Sequence, residues 1–215
     1  MSVAPSGELG SPSLVELATD RLRHEILSGA LPPGSRLVEE QVRIRLGISR
    51  APLREALRQL GEQGLVEHLP RRGVRVASLS DRDVEELFDV RDVLERHALR
   101  LAIPIDPAGL DGVRTQLEAM RVAARTGDAF SRAEAHRRFH AEVVALSGHR
   151  QLTLAYAPIL VKLQLHMAVN LRREAEARDP MDGVQRHETL LAALASGDAD
   201  VAVEALDRHG ARAFL

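Results

Sequence analysis

The sequence predicts a mainly α-helical protein: a small unit of three helices and a β-hairpin, followed by an all-helical bundle. Apolar residues recur at helical spacing along most of the chain. A short strand-like stretch over 65–76 interrupts them, and from Ser80 onward only helical periodicity remains. At 215 residues the chain exceeds the roughly 100 to 150 of a common single domain, so two are expected. The expected division is a disordered lead at 1–12, rich in Ser, Pro and Gly, a first domain at 13–78 and a second at 79–215.

The first helix is expected from about Leu14, where Leu14, Leu17, Ala18, Leu22, Ile26 and Leu27 repeat at helical offsets, and Gly29 stops it. A turn at Leu31-Pro32-Pro33-Gly34 leads to a short helix from Val38 to Leu46, broken by Gly47. Ser49 is placed to cap the third helix, which runs to about Gly61 with Leu53, Ala56, Leu57 and Leu60 facing inward; Pro52 falls in its first turn, where a missing N–H is tolerated. Leu65 to Leu69, a turn at Pro70-Arg71-Arg72-Gly73, and Val74 to Val76 read as a hairpin. Ser80 and Asp83 form a capping-box pattern opening a helix to about Leu101. Asp106-Pro107 starts the next, to about Arg125, and Gly127-Asp128, Gly148, Asp179-Pro180 and Gly197-Asp198 divide the rest into four more, six in the second domain.

Composition narrows the function. The chain has no cysteine, so disulfides, zinc-thiolate sites and cysteine nucleophiles are excluded, and any metal must be held by His, Asp or Glu. No apolar run reaches the roughly 20 residues of a membrane span, and Glu8 stands where a secretory signal would be basic, so a cytoplasmic protein without membrane contact is expected. The net charge of −2 hides an uneven distribution. Arginines outnumber carboxylates nine to five between Arg36 and Arg75, whereas acids exceed bases 22 to 18 from Leu79 onward.

That basic stretch coincides with a helix, short helix, turn, capped helix and hairpin, the order of a winged helix-turn-helix whose later helix enters the major groove. Arg50, Arg54 and Arg58 recur every fourth residue opposite the apolar face. An arginine near the helix start can fork onto guanine O6 and N7, and those further along can meet phosphates. Arg71 and Arg72 at the hairpin tip suit backbone or minor-groove contact. The alternative is a merely solvated helix face.

The runs Leu31-Pro32-Pro33-Gly34-Ser35-Arg36-Leu37, Leu46-Gly47-Ile48-Ser49-Arg50-Ala51-Pro52-Leu53-Arg54-Glu55-Ala56-Leu57-Arg58-Gln59-Leu60 and Gly64-Leu65-Val66 strongly resemble the GntR family of bacterial regulators. The resemblance implies binding to double-stranded DNA by a homodimer at an inverted repeat. Arg50 and Arg54 are then base or phosphate contacts, and Arg72 and Gly73 lie in the wing. With the spacing argument, the expected DNA-contacting set is Arg36, Ser49, Arg50, Pro52, Arg54, Arg58, Arg71, Arg72 and Gly73. Glu40 departs from the pattern, standing where many relatives carry a DNA-facing arginine.

The second domain carries four histidines on expected inward faces. His136 and His140 are one turn apart beside Phe139, Val143 and Val144, a spacing that can ligate one metal. His187 has Leu190, Leu191 and Leu194 at helical offsets, and His209 has Ala202, Ala205 and Leu206. Four separately hydrogen-bonded core histidines are the alternative reading.

His136-Arg137-Arg138-Phe139-His140, Ser147-Gly148, the run from His187 to Leu194, Gly197-Asp198 and His209 resemble the FadR-type (FCD) ligand-binding domain of GntR regulators in its shorter, six-helix, VanR-like version. Many members hold a divalent metal with one Asp and three His; here His136 occupies the Asp position, and His149 replaces a common Asn. The resemblance implies a metal held by His136, His140, His187 and His209, and a small carboxylate effector that reaches it. Nitrogen donors favour zinc, with nickel as the alternative, over oxygen-seeking ions. Arg91 is expected as a second effector anchor, its alternative being a surface ion pair with Glu95. Lys162, His166 and Asn170 share a helix face expected at solvent or the dimer contact rather than in the pocket.

The function expected is a ligand-controlled regulator, commonly a repressor. A metal-responsive regulator without an organic effector, and a metallohydrolase built on the four imidazoles, are the alternatives.

Overall fold

The structure, a computed structural model, describes residues 12–174 and 179–209. The lead expected at 1–12 therefore lies almost wholly outside the described residues.

The first helix, α1 (Leu14–Leu27), opens on a full capping box: Glu16 N–H donates to Ser13 Oγ at 3.2 Å and Ser13 N–H to Glu16 Oε2 at 2.7 Å. Its buried stripe is Ala18, Leu22 and Ile26. Leu14 and Leu17, expected on that face, are 58% and 51% exposed, because they occupy the first turn, ahead of the stretch buried in the core. Helix α2 (Glu39–Leu46) ends at Gly47, whose φ of 66° is the left-handed conformation that glycine adopts without penalty. Helix α3 (Arg50–Glu62) follows after Gly47, Ile48 and Ser49 and buries Leu53, Ala56, Leu57 and Leu60. Ser49 occupies the N-cap position, yet its side chain makes no capping hydrogen bond, which corrects the expected cap.

Strands β2 (Val66–Leu69) and β3 (Gly73–Val76) form the predicted hairpin, with Leu69 opposite Gly73 and Val66 opposite Val76. A two-residue strand, β1 (Arg36–Leu37), pairs antiparallel with β3 and makes a three-stranded sheet of order β1-β3-β2. Leu22, Ile26, Leu37, Leu53, Leu57, Leu60, Leu65, Val74 and Val76 fuse helices and sheet into one core.

Ser80 and Asp83 make the capping box of α4 (Asp81–Ala102). The element opened by Asp106-Pro107 begins as a 3-10 turn (Pro107–Leu110) before α5 (Asp111–Thr126); the single helix expected there is thus a tight turn joined to a helix. Four more helices complete the bundle: α6 (Ala129–Ala145), α7 (Arg150–Glu174), α8 (Pro180–Ala195) and α9 (Ala199–Arg208). Phe139, Val143, Val184, Leu190, Leu194 and Leu206 join α6, α8 and α9 in the main bundle core.

The two cores touch through α7. Leu165 is buried in the N-terminal core, with Val161 and Phe130 packed beside it, and the rings of Phe130 and His24 meet edge to face at 4.2 Å. Lys162 lies over Gly64, just past the end of α3: a Cβ on Gly64 would stand 2.8 Å from Lys162 Cε. Expected at solvent or a dimer contact, Lys162 is half-buried, and its stem covers the N-terminal domain. The side chain of Asn170 lies outside the described residues.

Candidate metal centre and DNA-reading face

Three helices bring the four histidines together. His136 and His140 come from successive turns of α6, His187 from α8, and His209 from the C-cap of α9, with exposures of 9%, 0%, 3% and 2%. One ligating atom from each lies within 4.8 Å of all the others.

Hydrogen bonds orient these rings. His187 Nδ1 donates to the Gly183 carbonyl at 2.6 Å; a carbonyl only accepts, so the proton sits on Nδ1 and leaves the Nε2 lone pair free. That Nε2 is 2.9 Å from His209 Nε2. His140 Nδ1 lies 2.8 Å from Glu95 Oε1, out of line for a hydrogen bond but close enough to favour a proton on that nitrogen. A carboxylate or carbonyl behind a ligating histidine is the usual outer shell of a metal site.

Burial also holds the rings neutral. It pushes His136 and His140 well below the ordinary imidazole value, with the mutual repulsion of the cluster and the charge of Arg91 adding to it. Burial lowers His187 to about 4 against the opposing pull of the Gly183 carbonyl, and it drives His209 down further. Neutral imidazole is the form that binds a metal. His140 Nε2 and His209 Nδ1 are buried without a hydrogen-bond partner, a costly state that an ion among the rings relieves at least for Nε2. Tetrahedral zinc with Zn–N near 2.0–2.1 Å needs nitrogens about 3.3 Å apart. The 2.9 Å pair and the 4.8 Å limit bracket that spacing, so the residues fit such an ion.

Glu95, 1% exposed, is the hub beneath the cluster. Its Oε1 accepts from Arg91 Nε at 3.2 Å and from the Tyr156 hydroxyl of α7. The Arg91 to Glu95 pair is therefore buried, not the surface pair of the alternative reading, and Arg91 is not a wholly free anchor either: its Nε is committed to Glu95, while its Nη2 is buried without a hydrogen bond. Sequence reasoning missed Tyr156 and the contact of Glu95 with His140. The chain's only tyrosine, placed on an apolar helix stripe, was the available signal.

On the other domain, Arg50, Arg54 and Arg58 project from α3 with side chains 77%, 70% and 55% exposed. Arg54 Nε donates to Glu39 Oε2 at 3.2 Å, Arg50 Nη2 lies 3.7 Å from Glu40 Oε2, and Arg58 pairs with Glu55 and Glu62 on its own helix. Ser49 is exposed and Pro52 half-buried at the same helix start. Arg36 is exposed on β1, opposite Arg75 of β3. Arg71, Arg72 and Gly73 are exposed at the hairpin turn, where Arg72 N–H closes onto Leu69 O at 3.0 Å and Arg71 takes a φ of 60°. A type II turn requires positive φ at that place and normally has glycine there.

A winged helix-turn-helix carrying exposed arginines, joined to a helical bundle with a buried ligating cluster, is the build of a DNA-binding transcription regulator. Residues 14–76 match the bacterial regulatory proteins of the gntR family, and residues 86–212 match the FCD domain. The chain is 32% identical over 207 residues to a probable D-xylose utilization operon transcriptional repressor of Paenarthrobacter nicotinovorans, covering 96% of this chain and 89% of that one. Among solved structures, a putative GntR transcriptional regulator from Rhodococcus sp. RHA1 has a TM-score of 0.80 at 26% identity, covering 94% and 96% of the two chains. McbR/YncC of E. coli has a TM-score of 0.73 at 27% identity, covering 93% and 94%. The chain belongs to the GntR family of transcription regulators with a C-terminal FCD domain. Its relatives are regulators, which removes the metallohydrolase reading. None of the described helices is long and apolar enough to cross a membrane.

Proposed function

We propose that this protein is a cytoplasmic homodimeric repressor whose grip on an inverted-repeat operator is set by a small organic acid bound at a divalent metal in its helical domain. The observation that carries the reading is the buried cluster of four neutral imidazoles with Glu95 and the Gly183 carbonyl behind two of them. His136, His140, His187 and His209 would hold the ion, zinc or nickel, which supplies a positive centre for a carboxylate. Arg91 Nη2, buried and without a hydrogen bond, is the donor left for the acid's second oxygen. The DNA is read by Arg50 and Arg54, with Arg36, Ser49, Pro52 and Arg58 alongside and Arg71, Arg72 and Gly73 in the wing. The working division is 13–78 for DNA and 79–215 for sensing and pairing.

Helix α7 supports a route between the sites, since it carries Tyr156 under the cluster and Lys162 and Leu165 against the DNA-side domain. An effector shifts operator binding only by favouring one arrangement of that contact over another. Val90, Val93 and Leu101 form an exposed apolar stripe along α4, which supports pairing of two copies. The probable D-xylose utilization operon repressor among the relatives makes D-xylose and the acids formed from it the first compounds to try.

A second reading, a regulator that answers to the metal itself, is favoured by the donor set: four imidazoles complete a tetrahedral shell and leave zinc no open position for an acid. One experiment separates the readings. Metal content of the purified protein and of four His→Ala variants is measured, followed by thermal shifts with organic acids before and after metal removal. Metal lost in the variants and a metal-dependent shift with an acid support the first reading. Metal loss with no acid response supports the second, and full metal content in all four variants overturns both.

A further inference from the structure

The two arginines proposed to read DNA are not idle in the free protein. Both turn back to consecutive carboxylates in the first turn of α2, Arg54 to Glu39 and Arg50 to Glu40, and Glu40 is also held by Arg43 at 2.6 and 3.2 Å. Arg43 therefore positions the carboxylate that Arg50 approaches at 3.7 Å, so the contact across the turn belongs to a small network of exposed charges.

We propose that Glu39 and Glu40 are specificity-determining residues, which compete with DNA for the reading arginines and so penalise every duplex that lacks the right base edge. This rests on the assignment of α3 as the reading helix. The first helix of a helix-turn-helix crosses the DNA backbone, and a helix N-terminus is by default a seat for phosphate. Here two carboxylates stand at that terminus. Next to a duplex they repel phosphates, so this end of α2 adds no sequence-independent attraction.

The competition is selective because of acceptor geometry. A guanine edge offers O6 and N7 together to one guanidinium, a match for the carboxylate it replaces. A poorly matched edge offers less, and the arginine stays on its glutamate while the carboxylates remain opposed to phosphate. The carboxylates thus lower affinity for all DNA and lower it most where the bases are wrong, the repulsive half of specificity.

The test uses the full-length protein and the variants Glu39→Gln, Glu40→Gln and their combination. Dissociation constants are measured for a duplex selected from a random pool by the unaltered protein and for a scrambled duplex of equal composition, at two salt concentrations. The expected result is binding to the scrambled duplex tighter by about tenfold in the double variant, with a much smaller gain on the selected duplex and a steeper salt dependence on the scrambled one. Equal changes on both duplexes, or none on the scrambled one, overturn the proposal. A partly unfolded variant weakens both duplexes alike and cannot tighten either. Arg50→Ala and Arg54→Ala serve as the reference. If neither weakens the selected duplex, the reading-helix assignment itself fails; if they weaken it and the glutamine variants leave the ratio of the two affinities unchanged, only the role of Glu39 and Glu40 does.

Discussion

Lys162, the only lysine in the chain, lies across Gly64 so that its stem occupies the space a side chain on that residue would need. Gly64 holds a φ of 74° directly after α3, and Lys162 sits on α7 less than two turns from Tyr156. The end of the arginine-bearing helix and the floor of the histidine cluster thus meet on one helix, α7. Lys162→Ala is expected to shrink the change in selected-duplex affinity that zinc produces in the unaltered protein, while zinc content stays the same. Lys162→Met, which keeps most of the stem, is expected to retain it. An unaltered zinc effect in Lys162→Ala would show that the signal does not pass through this contact.

Tyr156→Phe removes one of the donors to Glu95 Oε1 and leaves the packing intact. Hydrogen bonds to charged groups contribute about 1.5 to 3 kcal/mol, and the denaturation free energy of the variant should fall by that amount. Because Glu95 also orients His140, zinc affinity should weaken in the same protein. A loss of stability with unchanged zinc affinity would separate Tyr156 from the metal centre.

The buried imidazoles make the metal-free protein acid-sensitive. Their folded values lie below the ordinary 6.5, with His187 at about 4, so between those values the unfolded chain takes up protons that the folded one refuses. The stability they contribute is complete above pH 6.5 and declines below it; the share of His187, on the order of 3 kcal/mol, is lost by about pH 4, and that of the other rings at lower pH still. Urea midpoints across that range should decline, and His187→Asn should flatten the decline. A midpoint independent of pH in this window would mean that the rings are charged or solvated in the fold.

Arg71 holds a backbone conformation that suits glycine, at a cost of roughly 1 to 2 kcal/mol for a residue with a side chain. Arg71→Gly should therefore raise the melting temperature while weakening DNA binding and reducing the salt slope by about one. Unchanged salt dependence would remove Arg71 from the DNA-contacting set.

What could be read in advance was local. Ser80 and Asp83, three residues apart, announce the start of α4, and His136 and His140, one turn apart, announce a shared face. His187 and His209 could be turned inward by the apolar residues around them, although their meeting at 2.9 Å joins different helices. The unread features come from distant partners. Tyr156 and Glu95 are 61 residues apart, and the approach of Lys162 to Gly64 belongs to the docking of two domains. Strand β1, two residues long, is too short to show any periodicity.

The enclosure of the four imidazoles, none more than 9% exposed, bears on timing as well as affinity. An ion held among them would have to cross the packing that buries these rings, and opening that packing costs part of the stability of the bundle. Occupancy would then follow such rare breathing events and lag behind momentary fluctuations in supply, so that each molecule keeps a memory of the conditions it met earlier.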